Sequence, residues 1–364
     1  MLSDKRWHFW KNRPCANVFS MFRSSTTALR TELCPSPPPI TIQHYNWKEP
    51  IHFGTSLRIA KELANFWNTF YNTKEWRVKY TSSIVYDMIG KDKATILGVR
   101  NRDGEIVGTI ASIPLAGKFV TNTQEIDQPF YQVECLVIHP TFRNHGLAGW
   151  LLGWLDHFTS NAGPVVHCWF RESSVSKLSK MAIVPIQRAI TAQISYVGMA
   201  KTMHFEHVDQ LEWPIVQGLF HDIRVSKDRP FDLLYIPDET QDTTWWRVGI
   251  MDYPSCAMVI GIKDTGKYIS EKKLYNVVFT CFVRIRNDKE MYEPFWMEES
   301  PCPYIRDCIE AAACMQKCDI LQVSNISSCG DPYLNTWKNV RITDKKRKLY
   351  MYNMYIGGNL LMPI

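Results

Sequence analysis

Apolar and polar positions along this chain follow two periods, and the place where one gives way to the other is the most informative stretch of the sequence. Residues 132–139 mix β-branched and apolar side chains over one strand's length and stop at Pro140. From Leu147 onward the apolar positions are Leu147, Trp150, Leu151, Trp154, Leu155 and Phe158, the spacing of one helical face. A strand ending near His139 and a helix starting near Gly146 are expected. Upstream, Leu57, Ile59, Ala60, Leu63, Phe66 and Trp67 predict a helix over 56–69, residues 76–80 alternate briefly, and 84–89 read as helix. Residues 94–100 and 106–114 predict two strands joined by the turn Asn101-Arg102-Asp103-Gly104. A strand over 165–170 and a helix over 176–182 follow.

Beyond residue 200 the alternation continues, with strands expected over 245–250, 257–263, 274–284, 320–323 and 348–355. A helix over 304–317, helped by Ala311, Ala312 and Ala313, and a short one over 333–337 complete the pattern. Mixed α/β layers in two halves, 1–200 and 201–364, are the architecture this suggests. Near the start, Trp7-His8-Phe9-Trp10-Lys11-Asn12-Arg13-Pro14 is too aromatic to stay in water and should dock on another surface. The segment Cys34-Pro35-Ser36-Pro37-Pro38-Pro39 reads as an extended tether.

Between the central strand and helix lies Arg143-Asn144-His145-Gly146-Leu147-Ala148, an R-x-x-G-x-A turn. It brings backbone N–H groups, a helix N-terminus and a guanidinium to one point, which suits an anion. Gly146 would let the backbone close on a pyrophosphate, and Ala148 would let the ligand pass the first helical turn. The same residues also suit an ordinary βα turn with a solvated arginine. Strand, loop and amphipathic helix in this order resemble motif A of the GNAT superfamily, whose loop holds the pyrophosphate of an acyl-coenzyme A.

Composition narrows the function classes. With 364 residues, 45% hydrophobic and 13% aromatic, the chain can bury a sizeable core. Its 42 basic against 36 acidic residues give +6, which suits an anionic ligand such as coenzyme A and is too mild to demand nucleic acid. The eleven cysteines include no C-x-x-C and no histidines at ligand spacing, so reduced thiols, a cytoplasmic location and no metal are expected. The longest apolar run, residues 146–155, falls well short of a membrane span. The first thirty residues lack the apolar core of a secretory signal.

Several further segments resemble the N-myristoyltransferase family, and together they cover nearly the whole chain. Residues 8–14 resemble its K-F-W-x-T-Q-P opening, and Trp76-Arg77-Val78-Lys79-Tyr80-Thr81 resembles F-R-F-D-Y-S. Gly98-Val99-Arg100 and residues 107–114 resemble G-V-R and V-G-F-I-S-x-I-P. Residues 134–139, ECLVIH, resemble N-F-L-C-V-H, with Arg143 and Leu147-Ala148 matching the R-S-K-R-L-A that follows. Residues 318–323 resemble G-F-D-V-F-N-A, and Tyr350-Met351-Tyr352-Asn353-Met354 resembles Y-L-Y-N-W.

The resemblance implies two tandem GNAT-like halves, each a mixed, mostly antiparallel sheet flanked by helices. It implies transfer of a long acyl group, tetradecanoyl, from acyl-CoA to the amine of an N-terminal glycine. By the same route His8, Phe9, Trp10 and Lys11 would cover the coenzyme A. Val137, Arg143, Asn144, His145, Gly146, Leu147 and Ala148 would hold it, and Trp76, Val78 and Tyr80 would line the peptide groove. Backbone amides at Cys135 and Leu136 would meet the oxyanion. The attacking amine, with an ordinary pKa of about 8, needs a base. In the family this is the C-terminal carboxylate, here that of Ile364, and Glu134 is the alternative. A side-chain role for the Cys135 thiol as nucleophile lacks an adjacent His and acid.

Two departures alter the expected peptide preference. The acidic run of the family is reduced to Thr73-Lys74-Glu75, and its Gly-rich, Asp-containing turn is replaced by the loop Asp344-Lys345-Lys346-Arg347-Lys348, so a neutral or acidic peptide is expected. Acyl-CoA is then a co-substrate with no tightly bound cofactor. Partners are peptides or proteins starting with glycine, without nucleic acid or membrane insertion, and a monomer is implied. A GNAT-type enzyme with another acyl chain or acceptor, and a catalytically silent binder of acyl-CoA or peptide, remain the alternatives.

Overall fold

The computed structural model describes residues 27–28, 50–71, 78–91, 93–121, 125–126, 129–159, 166–172, 187–194, 205–226, 233–239, 242–251, 253–269, 271–286, 291–295, 304–324, 341–352, 354–355 and 360–361. The first elements in chain order are β1 (Thr27–Ala28), β2 (Ile51–His52), α1 (Leu57–Phe70), β3 (Val78–Lys79) and α2 (Ser82–Gly90). They are followed by β4 (Thr95–Arg100), β5 (Ile106–Pro114), β6 (Gly117–Thr121), β7 (Glu125–Ile126), β8 (Phe130–Ile138), α3 (Leu147–Thr159) and β9 (Val166–Glu172). Next come β10 (Gln187–Gln193), β11 (Phe205–Leu211), α4 (Trp213–Val225), β12 (Leu233–Pro237), β13 (Thr243–Ile250) and β14 (Tyr253–Ile269). The last are β15 (Lys272–Arg286), β16 (Met291–Phe295), α5 (Ile305–Met315), β17 (Ile320–Ser324), β18 (Arg341–Tyr352), β19 (Met354–Tyr355) and β20 (Leu360–Leu361). The expected helices over 176–182 and 333–337 lie outside the described residues.

The chain divides into two compact units that interleave along the sequence. One comprises 1–115, 127–170 and 349–357, and the other comprises 116–126, 171–348 and 358–364. Both are mixed α/β.

In the first unit, β2, β4, β5 and β8 form an antiparallel run, and β9 adds parallel to β8. Successive strand residues point to opposite faces, so the two faces bury different sets. Ile96 and Ala111 join Ala60, Leu63, Trp67 and Val85 under α1 and α2, whereas Leu97, Val99 and Ile110 join Leu147, Leu151 and Leu155 under α3. The turn between β4 and β5 is built by Asn101, whose carbonyl accepts from Gly104 N at 3.1 Å while its side-chain oxygen accepts from Glu105 N at 2.8 Å. Thr81 caps α2 by accepting from Ile84 N at 3.2 Å.

In the second unit, β11, β13, β14 and β15 run antiparallel, β17 lies parallel to β15, and β10 pairs antiparallel with both β17 and β18. Met258, Ile260 and Trp246 face α5, while Val259, Trp245 and Phe279 face α4. A smaller sheet sets β12 against β6 and β20, with β7 on β6. The basic run 344–348, expected as a loop, is instead part of β18. Asp344, Lys345, Lys346 and Arg347 stand opposite Ile190, Ala189, Arg188 and Gln187 of β10. The ladder satisfies the backbone there, so the segment is held as strand. Among the described residues no helix is long and apolar enough to cross a membrane.

Candidate functional site

The site is assembled on β8 of the first unit. Opposite β5, Val137 pairs with Thr109 and Glu134 pairs with Ala111, so Cys135 and Leu136 together face the single residue Ile110. This is a β-bulge. Cys135 there adopts a left-handed backbone, with φ 52, a conformation that crowds any Cβ. The extra residue also switches faces. Val133 is buried on the α3 side, while Cys135 and Val137 are buried on the α1 side and Leu136 packs towards α3.

Around the bulge lies a set of polar groups buried under α1 and α2. The Trp67 indole donates to Thr109 Oγ1 over 2.9 Å, and Thr109 Oγ1 donates to the Cys135 carbonyl over 3.0 Å. Cys135 Sγ stands 3.7 Å from the Tyr80 hydroxyl. Asn68 secures the backbone of Tyr80 at both ends, donating to its carbonyl and accepting from its N–H, each over 2.8 Å. Burial pushes the Tyr80 phenol well above its ordinary pKa, with the nearby Cys135 thiol adding to the effect. The ring is a core side chain, 3% exposed and edge-on to Trp67. Glu134 is half-buried, and Gln132 Nε2 donates to its Oε1 over 3.0 Å.

Eight residues past the bulge the chain enters the loop. A short 3₁₀ turn, Pro140–Phe142, leads to Arg143, whose Nε donates to the Ile138 carbonyl over 3.0 Å. No carboxylate pairs with Arg143 among the described residues, and its side chain is exposed. The backbone then goes left-handed twice, at Asn144 with φ 65 and at Gly146 with φ 81. A Cβ on Gly146 would meet no atom within 4 Å. The glycine is therefore demanded by backbone conformation, and the space beside it is open. α3 begins at Leu147, and its first internal bond runs from Trp150 N to the Gly146 carbonyl at 3.1 Å. The amides of Leu147 and Ala148 thus have no acceptor within the helix. Close packing aims this N-terminus: a Cβ on Gly108 would lie 3.1 Å from both Ile138 and Leu147, so α3 sits directly on β5.

The described residues bring together Tyr80, Glu134, Cys135, Leu136 and Val137 at the bulge, and Arg143 to Ala148 in the loop that follows it. Val78 is described in its backbone only, within β3. His8, Phe9, Trp10, Lys11, Trp76 and Ile364 lie outside the described residues. Thr109, Trp67 and Asn68 were not singled out from sequence. The signal in β5 was a pair of hydroxyls, Thr109 and Ser112, in an otherwise apolar run.

Residues 59–164 match the model of the acetyltransferase (GNAT) family, a span that holds the bulge, the loop and α3. The chain has a GNAT-like fold. Solved structures of Saccharomyces cerevisiae N-myristoyltransferase with bound myristoyl-CoA are similar to it over nearly the whole length. One, at 12% identity, has a TM-score of 0.62 and covers 96% of this chain and 88% of its own. Another has a TM-score of 0.57 at 11% identity, covering 96% and 93%. A third, with bound myristoyl-CoA and inhibitors, has a TM-score of 0.60 at 12% identity and covers 95% and 89%. At these identities the likeness is one of fold. No curated protein matches by sequence. In this chain the bulge and the N-terminus of α3 stand in one continuous segment, 134–148.

Proposed function

We propose that this chain is an acyl-CoA-dependent N-acyltransferase that moves a tetradecanoyl group to the amine of an N-terminal glycine. The observation that carries the reading is the bulge at Cys135 and Leu136, followed directly by the open, left-handed loop at the start of α3. Support also comes from the similarity of fold to an enzyme crystallised with myristoyl-CoA.

In this reading the loop Arg143-Asn144-His145-Gly146-Leu147-Ala148 grips the pyrophosphate, with the Leu147 and Ala148 amides and the Arg143 guanidinium as donors. The thioester then extends back along β8 past Val137. The glycine amine loses a proton, attacks the thioester carbon and leaves an oxyanion that the Cys135 and Leu136 amides receive. Each such donor contributes about 3 kcal/mol at the barrier. The C–N bond forms, the C–S bond breaks, and the coenzyme A thiolate takes up a proton. Glu134, at the bulge, and the carboxylate of Ile364 are the two candidate bases. His8 to Lys11 would cover the coenzyme, and Trp76 and Val78 would contact the peptide. Tyr80, being buried, acts on the site through Cys135. The sequence departures at 73–75 and 344–348 favour a neutral or acidic acceptor peptide, and the reading takes the enzyme to be a cytoplasmic monomer.

A transfer assay tests this directly. Purified chain is given acetyl-, decanoyl- or tetradecanoyl-CoA with peptides starting in Gly, N-acetyl-Gly or Ala, and products are weighed by mass spectrometry. Tetradecanoylation confined to the Gly-starting peptide is expected. Turnover of acetyl-CoA alone would indicate a GNAT enzyme of another acyl chain, and binding without turnover a silent homologue.

A further inference from the structure

The carbonyl of Cys135 and the N–H of Leu136 belong to one peptide unit. No cis peptide bond occurs among the described residues, so these two groups point in opposite directions from a shared plane. Whatever fixes the carbonyl therefore fixes the amide. Thr109 Oγ1 holds that carbonyl, at 3.0 Å.

Thr109 cannot choose a different partner freely. An indole N–H donates and never accepts, so the 2.9 Å contact from Trp67 Nε1 takes up an acceptor site of the hydroxyl and turns its single hydrogen elsewhere. That hydrogen goes to the Cys135 carbonyl. Trp67 and Thr109 are both fully buried, so water does not compete for these bonds. The order Trp67 to Thr109 to Cys135 is thus directional, and it reaches from α1 through β5 to the bulge of β8. Without such an anchor, a bulged residue at φ 52 would be free to relax by rotating the peptide unit that follows it.

We propose that Thr109, held by Trp67, is a positioning residue that aims the Leu136 amide at the developing oxyanion. The hydroxyl touches neither substrate nor coenzyme, and it acts only through the peptide plane. This rests on the acyltransferase reading above and adds to it the device that keeps the donor preorganised. The resemblance to V-G-F-I-S-x-I-P places Phe at the position of Thr109, so the device belongs to this chain's own sequence.

The test compares Thr109→Val, Thr109→Ser and Trp67→Phe with the unaltered chain in the transfer assay. Valine keeps the shape and removes the hydroxyl. It is expected to lower kcat about 10- to 100-fold, while KM for tetradecanoyl-CoA stays within about threefold, because only a donor to the transition state is misaligned. Serine restores kcat to within about threefold, and Trp67→Phe falls between the two. Backbone amide exchange supplies a second readout independent of turnover: Leu136 exchanges faster in Thr109→Val than in the unaltered chain, with α3 unchanged. Should Thr109→Val not fold, Trp67→Phe carries the same comparison. An unaltered kcat in Thr109→Val overturns the proposal, as does a loss that serine fails to restore or a Leu136 amide that exchanges no faster. If the unaltered chain itself transfers no acyl group, the acyltransferase reading fails and this role fails with it. Activity in the unaltered chain with an unimpaired valine variant removes this role alone.

Discussion

Tyr80 and Cys135 meet inside the core, phenol oxygen to Sγ at 3.7 Å, so a residue between α1 and α2 is tied to the bulge of β8. The phenol is held well above its ordinary pKa, first by burial and then by the Cys135 thiol. Tyr80→Phe should cost about 1 kcal/mol of stability, since a modest hydrogen bond is lost without a charge being stranded. Thermal unfolding checks the cost. Alkaline absorbance titration should show the same number of tyrosines ionising below the unfolding transition in both proteins.

Gly146 and Asn144 are the two left-handed positions of the loop. Gly146→Ala should destabilise by about 1–2 kcal/mol through backbone strain alone, because its Cβ enters open space. That same Cβ would intrude where the pyrophosphate is proposed to lie, so the dissociation constant of coenzyme A should rise roughly tenfold. Asn144→Gly should leave stability unchanged or raise it slightly. Calorimetric unfolding and coenzyme A titration on both variants separate strain from binding.

Arg143 is exposed and donates through Nε to the Ile138 carbonyl. Arg143→Ala is expected to weaken coenzyme A binding by roughly 1.5–3 kcal/mol, the range for a charge-assisted contact. The unfolding temperature should barely move. Repeating the titration at high salt should narrow the difference between the two proteins, since an exposed cation is screened.

Glu62 and Arg100 form the clearest pH-dependent pair in the first unit. The hydrogen bond from the Arg100 guanidinium holds the Glu62 carboxyl below its ordinary value of 4.5, against a smaller opposing effect of burial. A carboxyl with a depressed pKa in the folded chain contributes stability that is complete above 4.5 and is lost as pH falls towards the folded value. Glu62→Gln should therefore flatten the stability profile below pH 4.5, lowering stability at neutral pH while changing it little in acid. Denaturant unfolding across that range is the check.

Much of this was legible in the sequence for a physical reason that varies by element. The face of α3 was visible because Leu147, Leu151 and Leu155 repeat at helical spacing and are buried as a set. The turn at Asn101 was visible because Gly104 supplies a positive φ that the hairpin needs. The bulge was not visible as geometry: two residues facing Ile110 is a property of pairing, and only the resemblance pointed to Cys135 and Leu136. The strand character of 344–348 was hidden for a similar reason, since four consecutive basic residues look solvated until β10 supplies the ladder. α4 has no counterpart among the expected helices; it carries Pro214 in its first turn, where proline is well suited. The partners of Thr109 lie 42 and 26 residues away, beyond any local pattern.

The most direct measurement is a crystal structure with a non-hydrolysable ketone analogue of tetradecanoyl-CoA, in which a methylene separates the sulfur from the carbonyl. The pyrophosphate is expected in the loop 143–148, within hydrogen-bonding distance of the Leu147 and Ala148 amides, and the carbonyl of the analogue at the amides of Cys135 and Leu136. A pyrophosphate bound elsewhere, or a carbonyl turned away from the bulge, would contradict the acyltransferase reading.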